Sequence, residues 1–166
     1  MPDVVGEGVR IHYEVEGIGP PLVLHHGFAA ALGMWHRNGA VTALRDHYQL
    51  ILIDARGHGQ SDKPHTPAAY SQRQTAADVV AVLDDLGIKT AHFYGYSLGG
   101  LVGFYLGKYA PDRMRSLALG GVHPHVWFGD PEGMTEFAAL VRGGMQDVWA
   151  FVPRLYGLVA GRELSP

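Results

Sequence analysis

Residues 9–15 alternate strictly between apolar and polar side chains. The apolar positions are Val9, Ile11, Tyr13 and Val15, and charged or polar residues stand between them. A period of two is typical of a β-strand that buries one face and leaves the other accessible to water. The pattern therefore predicts a first strand with one wet face.

Short apolar runs without alternation follow at residues 22–24 and 50–53. Runs of this length fit strands that are buried on both faces, as the strands of a parallel sheet are. Residues 91–94 and 116–119 predict two further strands. These segments are the expected interior of a sheet.

Two helical patterns lie between the predicted strands. Ser71 and Gln74 match a capping box, apolar residues then recur at helical spacing, and Gly87 supplies a stop. Residues 98–110 form a second helical pattern that ends at a proline. Because strands and helices alternate over residues 22–120, we predict an α/β fold with a mostly parallel sheet flanked by helices.

The composition limits the classes of protein to consider. Of the 166 residues, 47% are hydrophobic and 17% are charged, which is typical of an ordinary folded domain. The 13 Lys and Arg residues are scattered and the net charge is −3, so no nucleic-acid partner is expected. Cysteine is absent, which excludes disulfides, Cys-ligated metal and a thiol nucleophile.

Two stretches bear on the location of the protein. Residues 1–7 lack a basic region followed by an apolar one, so no secretory signal is visible. The longest stretch without Asp, Glu, Lys, Arg or His, residues 93–107, is too short and too rich in glycine for a membrane span, which needs about 20 apolar residues. We therefore expect a cytoplasmic protein without a membrane partner.

Residues 95–99 read Gly-Tyr-Ser-Leu-Gly, with a predicted strand before them and a predicted helix after them. The pattern G-x-S-x-G in this context is typical of a nucleophile elbow. A sharp strand-to-helix turn strains the serine backbone, and glycine at 95 and 99 avoids the clash that side chains would make. The turn lifts the Ser97 hydroxyl clear of the sheet. It also places the Leu98 amide at a helix N-terminus, where it can stabilise an oxyanion.

A second segment, residues 26–28, reads His-Gly-Phe directly after the first apolar run. A glycine-containing loop there can present the Phe28 backbone N–H beside Ser97 and complete a two-donor oxyanion hole. The alternative interpretation is a turn with a structural histidine. The side chains and backbone expected to line the pocket are those of His26, Gly27, Tyr96 and Trp127.

A third segment, residues 54–62, reads Asp-Ala-Arg-Gly-His-Gly-Gln-Ser-Asp after the next predicted strand. Its glycines suit a tight loop, and Asp54 or Asp62 is positioned in sequence to hold Arg56. We interpret this segment as a scaffold loop.

These three segments, in this order, resemble the α/β-hydrolase fold family, and the turn at residues 110–114 is similar as well. The resemblance covers roughly residues 8–125. It implies that Ser97 is the nucleophile and that Phe28 and Leu98 donate the oxyanion hydrogen bonds, with no organic cofactor and no metal required. The segment after Gly129 resembles the start of a helical cap. The implied organisation is a hydrolase core over residues 1–128, lacking the last strands, and a partial cap over residues 129–166.

The family order of catalytic groups is serine, then an acid, then a histidine. The sequence ends at Pro166, inside the expected cap. We therefore expect two strand-and-helix units to be missing, which at roughly 30 residues each amounts to at least ~60 residues. Within the chain, His123 could approach Ser97 as the base, with Asp130 orienting it. The alternative is that His123 and His125 only line the cap entrance.

The predicted strand at residues 116–119 would be an exposed sheet edge in such a truncated core. An unpaired edge invites pairing with another chain. We therefore expect a homo-oligomer formed through this edge, or a complementing C-terminal fragment.

The function implied is that of a serine hydrolase acting on carboxylic esters or related small acyl substrates. Dehalogenases and soluble epoxide hydrolases of the family usually carry a carboxylate where this chain has Ser97. The alternatives are a catalytically incomplete N-terminal fragment, or a degenerate hydrolase fold used for binding or self-association. A metal site built from His25, His26, His123 and His125 is not expected, because no compact carboxylate partner accompanies them.

Overall fold

A computed structural model of the protein describes residues 2–122. Six strands lie in this region: β1 (Asp3–Gly6), β2 (Val9–Glu16), β3 (Pro21–His25), β4 (Gln49–Ile53), β5 (Ala91–Tyr96) and β6 (Met114–Gly120). Four α-helices accompany them: α1 (Met34–Arg37), α2 (Ala40–Leu44), α3 (Gln72–Asp85) and α4 (Leu98–Tyr109). Short 3₁₀ turns at Pro67–Tyr70 and Pro111–Arg113 precede α3 and β6. The predicted boundary at residue 128 and the predicted cap over 129–166 lie outside the described residues.

The strands form one sheet in the order β1-β2-β4-β3-β5-β6. The four strands from β3 to β6 run parallel to one another, whereas β2 is antiparallel to both β1 and β4. Parallel neighbours require a crossover, and the helices supply these connections. The predicted α/β fold with a mostly parallel, helix-flanked sheet is confirmed.

The sheet buries its strands between two layers of helix. In β4, Ile51 and Ile53 pack in one cluster with α3 and α4, while Leu50 and Leu52 pack in another with α1 and α2. Because side chains alternate along a strand, a continuous apolar run is needed to fill both layers. This explains why residues 50–53 show no alternation.

The N-terminal hairpin and the two short helices α1 and α2 were not predicted. Glu7 and Gly8 both have positive φ, at 52° and 77°, as a tight hairpin turn of type I′ requires. The predicted wet face of β2 is only partly wet, since His12 is buried and its ring nitrogen Nδ1 lies 2.9 Å from Asp3 Oδ1. The neighbouring hairpin strand therefore covers part of a face that the sequence pattern assigned to water.

Helix α4 packs closely on the last strand of the described sheet. A Cβ atom on Gly103 would lie 2.2 Å from Leu119 Cδ2, so a larger residue there would require the Leu119 side chain to move. On its other side β6 has no strand neighbour within residues 2–122, and Leu117 is 37% exposed. In the described part of the chain, none of the helices is long and apolar enough to cross a bilayer.

Candidate active site

Ser97 lies between the end of β5 and the first residue of α4. Its backbone has φ 53° and ψ −109°, close to the first central position of a type II′ turn, which normally favours glycine. Such a conformation costs on the order of 1–3 kcal/mol and persists only where the surroundings enforce it. The Ser97 hydroxyl does not cap α4, and the residue is half-buried. The predicted elbow is therefore formed, with a hydroxyl that the helix does not use.

Backbone contacts on both sides hold the elbow in place. The Ser97 N–H donates to Gly120 O of β6 at 2.8 Å, and the Gly99 N–H donates to His26 O at 3.1 Å. A Cβ on Gly95 would lie 2.1 Å from Gly99 O, and one on Gly99 would lie 2.2 Å from His25 O. Both obstacles are backbone carbonyls that cannot turn aside, which confirms the steric reason for glycine at these two positions.

The loop after β3 lies directly against the elbow, because β3 and β5 are neighbours and His25 is in register with Gly95. A Cβ on Gly27 would lie 3.4 Å from Ser97 Cβ and 3.3 Å from Tyr96 Cδ1. The structure thus brings together Gly27, Tyr96 and Ser97, with Phe28 next along the loop and 39% exposed. Three of the expected pocket residues, counting His26, therefore lie around or beneath Ser97.

The backbone N–H of Leu98 is a second feature of the elbow. As the first residue of α4, Leu98 has no carbonyl four residues earlier inside the helix to accept its N–H. Amides at this position carry the positive end of the helix dipole and suit a developing negative charge.

His26 joins the loop after β3 to the loop after β4. Its Nδ1–H donates to Gly27 O at 2.7 Å, while its Nε2 accepts from the Ala55 N–H at 3.1 Å. Each ring nitrogen has a protein partner, so the ring is neutral with the proton on Nδ1. The side chain is fully buried, and this burial lowers its pKa. His26 thus supports the loop of residues 26–28 from beneath, as in the structural interpretation, and has no nitrogen left to take a proton from Ser97.

His25 is also unsuited to act as a base. It is buried, its Nδ1 lies 3.3 Å from His26 O, and burial lowers its pKa to about 3. A general base works best with a pKa near the operating pH. His25 therefore serves the packing beneath the elbow.

The loop at residues 54–62 is held by a buried carboxylate. Asp54 accepts from the Leu32 N–H at 2.7 Å and from the Gln60 N–H at 2.8 Å. A Cβ on Gly59 would lie 2.1 Å from the Asp54 carboxylate carbon, so the loop closes around the acid only because residue 59 is glycine. The interpretation of this segment as a scaffold fits the geometry.

The expected partner of Arg56 was wrong. Arg56 pairs with Asp78 of α3 through two contacts of 2.6 Å, from Nε to Oδ2 and from Nη2 to Oδ1. Asp54 instead binds backbone amides, and Asp62 pairs with Arg10 at 3.2 Å. Burial raises the pKa of Asp78, and the Arg56 guanidinium opposes that shift. No local signal in the sequence points from residue 56 to a carboxylate in the following helix.

His58 is a side chain near the loop of residues 26–28 that the sequence did not single out. Its ring lies edge-on to Phe28 at 5.6 Å between centroids and to His26 at 5.3 Å. Its Nδ1 lies 3.1 Å from Arg56 O. The sequence could have indicated this position, because His58 follows β4, and β4 neighbours β3 in a parallel sheet.

The candidate base and part of the pocket lie beyond the described residues. These are His123 and Trp127, together with His125 and Asp130. Within residues 2–122 no histidine or carboxylate hydrogen-bonds the Ser97 hydroxyl. The described residues therefore include the candidate nucleophile and the candidate oxyanion amides, and the candidate base lies outside them.

Comparisons with known proteins agree with the observed fold. A family model for the alpha/beta hydrolase fold matches residues 20–151. The chain is 34% identical over 111 residues to 3-oxoadipate enol-lactonase 1 of Acinetobacter baylyi, covering 67% of this chain and 40% of that protein. It is 32% identical over 110 residues to epoxide hydrolase 3 of Siraitia grosvenorii, covering 66% of this chain and 34% of that protein. The crystal structure of a hydrolase from Pseudomonas aeruginosa superposes with a TM-score of 0.71 at 31% identity, over 84% of this chain and 52% of that one. The chain thus spans less than half the length of these two relatives.

Proposed function

Because the chain belongs to the α/β-hydrolase fold family, we propose that it carries the nucleophile and oxyanion part of a serine hydrolase. The substrates proposed are carboxylic esters or related small acyl compounds. The observation that carries the proposal is the backbone of Ser97, which is held at φ 53° beside the loop of residues 26–28. A strained residue at this point is supported on both sides, which is how a site keeps a reactive group oriented.

In the proposed reaction the Ser97 Oγ attacks the acyl carbon, and its proton passes to a base. The carbonyl oxygen becomes an oxyanion that accepts hydrogen bonds from the N–H groups of Leu98 and Phe28. Collapse of this intermediate breaks the bond to the alcohol, which leaves with a proton, and water then releases the acid from Ser97. One oxyanion donor contributes about 3–4 kcal/mol to such a barrier.

The hydroxyl at position 97 favours ester chemistry over epoxide opening. Both an enol-lactonase and an epoxide hydrolase are relatives of this chain. A lactone is a cyclic ester, and its carbonyl needs both a nucleophile and an oxyanion hole. Serine beside two backbone amides suits that reaction.

Two sources of the base are proposed. One is His123 of this chain, oriented by Asp130. The other is a histidine and an acid in a longer protein or a complementing fragment, of which this chain would be the N-terminal part. If neither is present, the fold serves binding or self-association, and the serine is not activated.

A fluorophosphonate probe tests the proposal directly, since it reacts only with an activated serine. We expect covalent labelling of the full chain at Ser97 and loss of labelling in Ser97→Ala. A matched control is Ser116→Ala, because Ser116 also has a histidine partner, His92 Nδ1 at 2.8 Å, yet lies on β6 outside any elbow. The protein should also hydrolyse a p-nitrophenyl ester before it reacts with the probe, and it should lose this activity after labelling. An unlabelled Ser97 in folded protein would reject His123 as a working base and leave the incomplete fragment and the non-enzymatic fold as the alternatives.

A further inference from the structure

Three potential metal ligands meet on the face of β2 opposite Tyr13 and Val15. Glu14 and Glu16 are two residues apart on a strand, so both side chains project from the same face. Helix α1 brings His36 to them, while the preceding Trp35 is buried in the core and fixes the helix there.

The distances in this cluster fit a metal better than they fit hydrogen bonds. His36 Nε2 lies 3.4 Å from Glu14 Oε2 and 3.3 Å from Glu16 Oε1, and all three ligand atoms lie within 4.8 Å of one another. Charge-assisted N–H···O bonds are shorter, at about 2.7–2.9 Å. Donor atoms about 2.0–2.1 Å from a tetrahedral zinc ion sit roughly 3.3 Å apart. Two of the three spacings match that edge, and the third is no more than 4.8 Å.

The charges in the cluster are also unbalanced. Glu14 and Glu16 are a like-charged pair, and among the described residues neither forms a salt bridge with Lys or Arg. One imidazole cannot offset two carboxylates even when protonated. The side chains are 31%, 32% and 40% exposed for Glu14, Glu16 and His36, which leaves them accessible to an ion.

We propose that Glu14, Glu16 and His36 bind one divalent cation of the zinc type, with solvent as the fourth ligand. A ligand set with one imidazole and two carboxylates suits Zn²⁺ or Co²⁺, whereas Ca²⁺ and Mg²⁺ require six or more oxygens. The metal links α1 to β2 and stabilises the packing of that helix on the sheet.

The site is separate from the proposed catalytic centre. Glu14 and Glu16 lie on β2, and the strands β4 and β3 stand between β2 and β5, the strand that leads to Ser97. Whether or not metal binds there, the proposed hydrolase function is therefore unaffected. The expectation of no metal considered only histidine pairs, because 20 residues separate Glu16 from His36 in the sequence.

Calorimetric titration of the metal-stripped full chain with ZnCl₂ tests the proposal. We expect one equivalent bound with micromolar affinity or better, and a Tm that rises with zinc. His36→Ala, Glu14→Gln and Glu16→Gln should each weaken binding roughly 10-fold or more, since each removes a ligand. Co²⁺ should show the visible bands of tetrahedral coordination in the native chain, and His36→Ala should lose them.

The control is His65→Ala, which removes an exposed histidine outside this cluster. It should bind zinc as the native chain does. Equal binding in the native chain and all three cluster variants would overturn the proposal, as would a loss in His65→Ala as large as in His36→Ala. The glutamine variants keep the shape of the side chain, so circular dichroism should find them folded.

Discussion

A comparison of two glycine substitutions on α4 tests the steric account of the elbow. Gly99→Ala places a Cβ 2.2 Å from the His25 backbone carbonyl oxygen, about 1 Å inside ordinary contact. Gly107→Ala places one 3.3 Å from Leu117 Cδ1, the end of a flexible and partly exposed side chain. The same chemical change therefore meets a fixed obstacle at one position and a movable one at the other.

The two substitutions should change stability in opposite directions. Alanine gains about 0.5–1 kcal/mol over glycine inside a helix. At residue 107 this gain should survive and raise the free energy of unfolding. At residue 99 the backbone must shift, and overpacking of this kind costs about 1–3 kcal/mol, so Gly99→Ala should be destabilised overall.

Urea unfolding of both variants measures the difference, and the rate of fluorophosphonate labelling at Ser97 reports on the elbow itself. Gly99→Ala should label more slowly than the native chain, because the turn that orients Ser97 has moved. Gly107→Ala should label at the native rate. A Gly99→Ala protein as stable and as reactive as the native chain would refute the steric argument.

Three other predictions concern pH, the buried ion pair and the sheet edge. Burial lowers the pKa of His25 to about 3, so unfolding takes up a proton below about pH 6.5. The free energy of unfolding should therefore fall by roughly 2 kcal/mol between pH 6.5 and pH 5. Urea titrations that show equal stability at both pH values would contradict this. Arg56→Met leaves Asp78 buried without its partner and should cost about 3–5 kcal/mol, with partial recovery in the Arg56→Met/Asp78→Leu double variant; a single variant as stable as the native chain would be inconsistent. If the β6 edge forms a homo-oligomer, light scattering should find a mass above 18.0 kDa that Leu117→Lys reduces, whereas a strictly monomeric native chain would rule this association out.

Much of the fold could be read from local patterns. The strands at residues 22–24, 50–53, 91–94 and 116–119 and the helices after Ser71 and Ser97 all form as predicted. These elements depend on interactions between residues a few positions apart, namely alternation, helical spacing and caps. Strand β1 and helix α1 were missed because each has only four residues and carries too little pattern.

The elbow was predictable for a related reason. Its geometry depends on the backbone of residues 95–99, and the need for glycine there is a property of the turn itself. Neither the partner of Arg56 nor the neutral state of His26 could be predicted from the sequence. Each depends on which atoms of distant segments meet: Asp78 from α3 in one case, and the Ala55 amide in the other.

The sequence by itself determined the order of the main strands and helices along the chain. It also determined the sharp turn at Ser97, because short-range sterics and burial patterns settle both features. Only the tertiary structure decided which side chains form ion pairs and hydrogen bonds with one another, and it alone brought Glu14, Glu16 and His36 together. Such pairings follow from the order of strands in the sheet and from helix placement. Coulomb and hydrogen-bond energies depend on distances of a few ångströms, and those distances exist only once the chain has folded.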